Sequence, residues 1–180
     1  MGVQISRTSS STKIVDYLSE SELNSVRASW KSVVEPNAQL FFRRSVLGIL
    51  RMSAAIRQTM GIRSNCEEAD FNYEENQKID LLATRMLKFF SACLQCRPEE
   101  ARKRAHKLGA NHINYGERDA KFQPVFWEIY TACLTQNLSK HGAQDIESWM
   151  RFIRVHVDWI TEGYEAAKQQ IESKRENSSD

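Results

Sequence analysis

Apolar residues recur at three- and four-residue steps along most of this chain, which is the spacing of amphipathic helices. The clearest run lies between residues 74 and 94, where one stripe is formed by Ile79, Leu82, Met86, Phe89, Phe90 and Cys93. No regular alternation of apolar and polar residues persists, so strands are not expected. The pattern therefore predicts an all-α fold.

Capping residues, prolines and glycines divide the pattern into seven predicted helices. Ser19 and Glu22 form a capping box at the start of the first helix, and Glu35-Pro36 ends it. The predicted helices cover about 19–34, 36–50, 54–60, 74–94, 98–108, 122–138 and 145–174. The segment from Ile62 to Tyr73 is polar enough that we expect it to stay out of the core.

The length of 180 residues fits one domain able to bury about 70% of its unfolded surface. We expect a tail over residues 1–17, a folded domain over 18–174 and a polar tail over 175–180. A net charge of +2 gives no strongly basic surface, so no nucleic-acid partner is predicted. The sequence makes no prediction of oligomeric state.

Four cysteines occur in a chain with no apolar signal peptide and no segment long enough to span a bilayer, which favours a reducing, cytoplasmic compartment. Cys93 and Cys96 form a C-x-x-C pair. Zinc would need a second pair, and a thioredoxin-like site would need a βαβ context. We interpret these cysteines as small core residues, with a redox-active pair as the alternative.

The N-terminus carries a lipidation pattern. Removal of Met1 exposes Gly2, and Ser6 stands at the position favoured for N-myristoylation. A single acyl chain binds membranes only marginally. The pattern therefore predicts reversible association with the cytoplasmic face of a membrane.

His112 is the first candidate for site chemistry. Pro98, Glu99 and Glu100 favour a helix start, so His112 falls in the last turn of the helix that follows. There one ring nitrogen can donate to the free carbonyl near Leu108 while the other points outward as a metal ligand. A histidine at this place can also serve only as a helix cap.

From about Leu18 to Ala167 the order and spacing of several short motifs resemble the globin family. The motifs are Val26-Arg27-Ala28-Ser29-Trp30, Arg57-Gln58-Thr59-Met60-Gly61-Ile62, Ala83-Thr84-Arg85-Met86-Leu87, Leu108-Gly109-Ala110-Asn111-His112 through Phe122, and Trp149 with Ile160, Gly163 and Tyr164. The chain is similar to neuroglobin-like and nematode globins rather than to blood or muscle oxygen carriers.

The resemblance implies a single-domain globin fold that binds heme b. It makes His112 the proximal ligand of the iron and places Leu82 at the distal position, Met86 beside the sixth coordination site and Met60 against the porphyrin. It also implies a diatomic gas or a redox partner. One cation of the segment 97–107 can pair with a heme propionate.

Two of these positions depart from the usual globin pattern. Met60 replaces a phenylalanine but is adaptable enough to cover a porphyrin. Leu82 cannot donate the hydrogen bond that stabilises bound oxygen, a loss of about 1–3 kcal/mol. Bulk oxygen storage is therefore not expected. If the register of this helix differs by a turn or more, Gln77 becomes the distal donor.

Redox chemistry or sensing of O2, NO or CO is the function that the resemblance favours. Met86 is expected to be pocket wall, with ligation of iron through its sulfur as the alternative. The changes at Met60 and Leu82 leave a heme-free signalling or interaction module as the second hypothesis. No hydrolytic or group-transfer motif is visible, so heme redox activity is the enzymatic function considered. His106 is expected to face solvent, His141 to cap a helix and His156 to lie in the core or at the pocket rim.

Overall fold

The computed structural model describes residues 17–64, 71–117 and 120–176. Residues 1–16 of the predicted tail, with Gly2, lie outside these ranges, whereas Tyr17, also assigned to the tail, stacks on Trp159 at 5.6 Å and belongs to the folded domain. The predicted all-α class is confirmed. The helices are α1 (Glu20–Ser29), α2 (Ala38–Met52), α3 (Ala54–Thr59), α4 (Tyr73–Gln95), α5 (Pro98–His112), α6 (Phe126–Lys140) and α7 (Ile146–Glu176). Between α5 and α6 the chain forms one short antiparallel pair, β1 (Gly116–Glu117) with β2 (Ala120–Lys121).

The first helix begins as its sequence predicts but does not end where expected. Ser19 Oγ accepts from the Glu22 backbone N–H at 3.3 Å, and the Ser19 N–H donates to Glu22 Oε2 at 2.7 Å, which completes the capping box. Beyond α1 the chain stays helical through a π turn (Trp30–Val34) and a 3-10 turn (Glu35–Asn37) into α2. Pro36 is tolerated because the first turn of a helix needs no donor from it.

The core is built around rings contributed by α2, α4 and α7. The Phe90 ring stacks on Phe42 at 6.1 Å and lies 6.0 Å from Phe152. His156 is fully buried in this cluster, and its Nδ1 donates to the Phe152 carbonyl at 2.7 Å. Burial lowers the pKa of His156 to about 4, so the ring is neutral at pH 7. The prediction that His156 belongs to the core is confirmed.

Two glycines let α5 and α7 approach more closely than other residues would allow. A Cβ added at Gly109 would lie 1.9 Å from the Ile160 carbonyl oxygen, and one at Gly163 would lie 2.3 Å from the His106 carbonyl oxygen. Ala101 and Ala105 are also fully buried and continue the small-residue face of α5. This contact fixes the position of α5, and therefore of His112 at its end.

The connection between α3 and α4 is tied down by a buried carboxylate. Glu75 accepts hydrogen bonds from the backbone N–H groups of Arg63 at 2.6 Å, Ser64 at 3.1 Å and Asn72 at 3.2 Å, and from the Ser64 hydroxyl. These bonds, with that from Ser64 Oγ the strongest, lower the pKa of Glu75 from 4.5 to about 2. Glu75 therefore holds both ends of the connection.

The sequence prediction for this connection was wrong at two residues. Ile62 and Phe71 are buried, although their neighbours are polar and the whole segment was expected to avoid the core. The hydrogen bonds to Glu75 satisfy the backbone beside both residues, which allows their side chains to pack inward.

Gly163→Ala tests the close contact between α5 and α7. The added methyl group has no room against the His106 backbone, so we expect the free energy of unfolding to fall by about 1–3 kcal/mol in urea denaturation. Gly48→Ala is the matched control, because its Cβ would meet only Cys133, at 3.6 Å from Sγ and 3.7 Å from Cβ. Alanine is also more favourable than glycine inside a helix such as α2, by about 1 kcal/mol. Equal stability changes in the two variants would contradict the assignment.

Glu75→Gln tests the buried carboxylate. We expect a loss of about 2 kcal/mol at pH 7, because bonds to a charged acceptor become bonds to a neutral one. The stabilisation by Glu75 is present above its ordinary pKa of 4.5 and is lost as pH falls toward its folded pKa of about 2. Urea denaturation at pH 7 and at pH 3 should therefore show that the free energies of unfolding of wild type and Glu75→Gln become similar in acid.

The control for this variant is Glu74→Gln. Glu74 is exposed and pairs with Lys78 at 3.1 Å one turn along α4, and such a surface pair contributes about 0–1 kcal/mol. A wild-type stability advantage over Glu75→Gln that persists unchanged at pH 3 would refute the role given to the carboxylate.

Candidate functional site

His112 is the last residue of α5 and is held by one hydrogen bond to its own helix. Its Nδ1 lies 2.7 Å from the Leu108 carbonyl oxygen. Since a carbonyl oxygen only accepts, Nδ1 carries the proton and Nε2 keeps a free lone pair. Nε2 makes no hydrogen bond with any residue in the described ranges. The predicted bond from the His112 ring to the Leu108 carbonyl is therefore confirmed.

Aromatic rings hold the imidazole from the side. The Phe122 ring lies 4.8 Å from the His112 ring and the Trp127 ring 5.0 Å from it, both at steep angles. Phe122 and Trp127 are buried, whereas His112 is half-buried. The ring is thus fixed in orientation while part of it remains accessible.

The surroundings of His112 keep it neutral. Burial lowers the pKa of His112 and is the largest influence on it. The hydrogen bond to Leu108 acts in the opposite direction, and the charge of Arg85 lowers the pKa further. A metal ion binds the neutral form of imidazole. The site therefore presents a histidine in the protonation state that a metal requires.

Arg85, in the middle of α4, acts electrostatically on His112 at the end of α5. Arg85 lies on α4 between Leu82 and Met86, and α4 and α5 are in contact. Leu82 is half-buried and Met86 is buried. Positions 82 and 86 are one turn apart and share a face. Met60, the remaining residue predicted from the resemblance, is half-buried and packs against the core.

Tyr130 on α6 was not singled out by the sequence. Burial raises its pKa well above 10, yet the side chain keeps some accessible surface, and its hydroxyl has no hydrogen-bond partner among the residues described. Its ring lies 6.1 Å from Trp127, which in turn contacts His112. Tyr130 also stacks on Phe90 at 6.2 Å, so it joins the rings beside His112 to the aromatic cluster of the core.

The other candidates lie elsewhere. Gln77, the alternative distal donor, is exposed and its amide donates to the Tyr73 hydroxyl at 2.8 Å. His141 caps the end of α6, with its Nδ1 2.9 Å from the Asn137 carbonyl oxygen. His106, which was expected to face solvent, is half-buried, and its Nε2 lies 3.0 Å from Glu162 Oε2.

These residues fit a heme group. His112, a single neutral imidazole with a free Nε2, would hold the iron of a bound heme, since one histidine is a common protein ligand of heme. Met60, Leu82 and Leu108 are half-buried apolar residues that pack on the core and would supply apolar contacts to such a group. Arg85 provides a cation near the ligand for a propionate.

Comparison with known proteins adds no family assignment. No protein-family model matches the chain, and no curated protein matches it in sequence. Among the helices of the described ranges, none combines the length and the apolar character needed to cross a bilayer.

Proposed function

We propose that the protein is a heme-binding globin, tethered to the cytoplasmic face of a membrane, that works in redox chemistry or gas sensing. The observation that carries this proposal is the orientation of His112. Its Nδ1 is committed to Leu108, its ring is clamped by Phe122 and Trp127, and its Nε2 is left without a partner. When bound, heme would supply an iron that changes oxidation state and binds a diatomic ligand reversibly.

The chain's own residues assign distinct tasks around such a group. The bond to the Leu108 carbonyl increases the basicity of the His112 ring and fixes its rotation. Leu82 and Met86 provide an apolar surface that excludes water and offers no proton to a bound gas. This combination disfavours oxygen storage and favours ligands or reactions that need no distal donor.

The membrane part of the proposal rests on the sequence pattern at Gly2. One acyl chain gives reversible binding, with an association constant of about 10⁴ M⁻¹. A protein held in this way can exchange between membrane and cytoplasm, which suits a redox carrier or sensor.

His112→Ala tests the proposed ligand. We expect purified wild-type protein supplied with heme to show a Soret band at one heme per chain. Loss of a residue that only hydrogen-bonds a metal ligand weakens metal binding by roughly 10–100-fold. Loss of His112, the proposed ligand itself, should weaken heme binding by more than this, and added imidazole should restore the spectrum. His141→Ala is the control, because His141 makes the same bond to its own helix end but its Nε2 already lies 3.0 Å from Arg44. An identical Soret band in His112→Ala, or none in wild type, would favour a heme-free module.

Gly2→Ala tests the lipid anchor. When the chain is expressed with an N-myristoyltransferase, we expect wild type to float with lipid vesicles and Gly2→Ala to stay in the soluble fraction. Val3→Ala preserves the pattern and should behave as wild type. Equal flotation of wild type and Gly2→Ala would show that the acyl chain is not the anchor.

A further inference from the structure

The C-x-x-C pair lies at the end of the α4 face that begins with Leu82. Cys93 is buried inside α4, and Cys96 is the residue that caps the helix. Cys96 is half-buried, and its Sγ lies 3.8 Å from the Cys93 carbonyl oxygen. The pair therefore joins one thiol that is sealed in the core to one that reaches the surface.

Aromatic contacts connect this pair to His112. Tyr130 stacks on Phe90 at 6.2 Å, and Cys93 follows Phe90 by one turn of α4. Phe90 is therefore a common neighbour of Tyr130 and Cys93, and Cys93 adds, after burial, to the raised pKa of the Tyr130 phenol. Tyr130 in turn contacts Trp127, which contacts His112. The oxidisable groups Trp127, Tyr130 and Cys93 thus form a path from the site to the thiol pair.

The environment determines which chemistry these groups can perform. Burial raises the pKa of Cys93 to about 12, so its sulfur stays protonated at neutral pH. A protonated thiol is a poor nucleophile but can give up a hydrogen atom. The Tyr130 phenol is likewise protonated. Neither group therefore holds a negative charge in the core before oxidation, and each must release a proton when it gives up an electron.

We propose that Cys93 and Cys96 are a two-electron reservoir for the His112 site, connected to it through Tyr130 and Trp127, and that the oxidant they consume is a hydroperoxide. The proposal rests on the heme-binding function proposed above. It makes the pair the internal reductant that returns the site to its resting state after oxidation.

The reaction balances with hydrogen peroxide as the oxidant. The two S–H bonds of Cys93 and Cys96 break and one S–S bond forms. The two electrons and two protons released reduce the peroxide, whose O–O bond breaks to give two molecules of water. Within the path, two electrons pass from the thiols through Tyr130 and Trp127 to the His112 site. The two thiol protons leave to solvent beside the half-buried Cys96, and the peroxide takes up two protons from solvent.

The position of the pair permits the disulfide. Residues three apart on a helix have Cβ atoms about 5–6 Å apart, and a disulfide needs about 3.5–4.5 Å. Cys96 is the cap of α4 with extended backbone angles, so it can move toward Cys93 without breaking the helix interior. A cellular thiol can then reach the disulfide from the Cys96 side.

The test treats reduced, heme-loaded protein with one equivalent of hydrogen peroxide without oxygen and follows thiol pairing by alkylation and peptide mass spectrometry. We expect a Cys93–Cys96 disulfide, formed at least tenfold more slowly in Tyr130→Phe. Tyr115→Phe is the matched control, because the exposed Tyr115 ring also lies near His112, at 5.6 Å, but does not lead toward Cys93. Its rate should stay within twofold of wild type.

Cys96→Ser gives a second readout, which is informative even if the Tyr130→Phe variant does not fold. Without its partner, Cys93 cannot complete the two-electron reaction, so we expect a protein radical on Tyr130 or Cys93 in electron paramagnetic resonance spectra. Equal disulfide rates in heme-free and heme-loaded protein, an unchanged rate in Tyr130→Phe, or no radical in Cys96→Ser would overturn the proposal. Failure of wild type to bind heme would instead refute the proposed function.

Discussion

The close contact between α5 and α7 is the constraint on which the candidate site depends. Gly109 and Gly163 let backbone approach backbone where any side chain would collide. Dispersion contacts between α5 and α7 are dense because both helices have small residues on the faces that meet. Glu162 adds a polar clamp, accepting from Arg102 at 2.9 Å and lying 3.0 Å from His106 Nε2. The contact between α5 and α7 holds α5 rigidly, so the His112 ring at the end of α5 is held in place as well.

The same arrangement sets the electrostatics of the imidazole. A buried histidine loses hydration that favours its charged form, and a nearby cation such as Arg85 disfavours that form further. The hydrogen bond to Leu108 is not strong enough to reverse this, so the ring is neutral but oriented. Neutrality and orientation together are what ligation of iron requires. The rings that continue through Trp127 and Tyr130 relate the same site to the thiol pair.

Features that depend on a few consecutive residues could be predicted from the sequence, whereas features that depend on contacts between distant residues could not. The helix end at His112 and its bond to Leu108 could be predicted, because capping depends on a few consecutive residues. The burial of Ile62 and Phe71 could not be predicted, since it depends on hydrogen bonds between Glu75 and backbone groups that are distant from it in the sequence. Tyr130 lies in the predicted helix 122–138, but periodicity does not say which rings this helix contacts. Arg85 belonged to a quoted motif, yet only the packing of α4 near α5 gives it a role.

The most direct test of the account is the tautomer of His112, measured by nitrogen-15 NMR of heme-free protein with labelled histidine between pH 6 and pH 8. The account predicts a neutral ring protonated on Nδ1, with the Nε2 resonance at the position of an unprotonated nitrogen, shifting sharply when heme is added. A ring protonated on Nε2, or a charged imidazolium over this range, would contradict it, because Nε2 would then have no lone pair to bind iron.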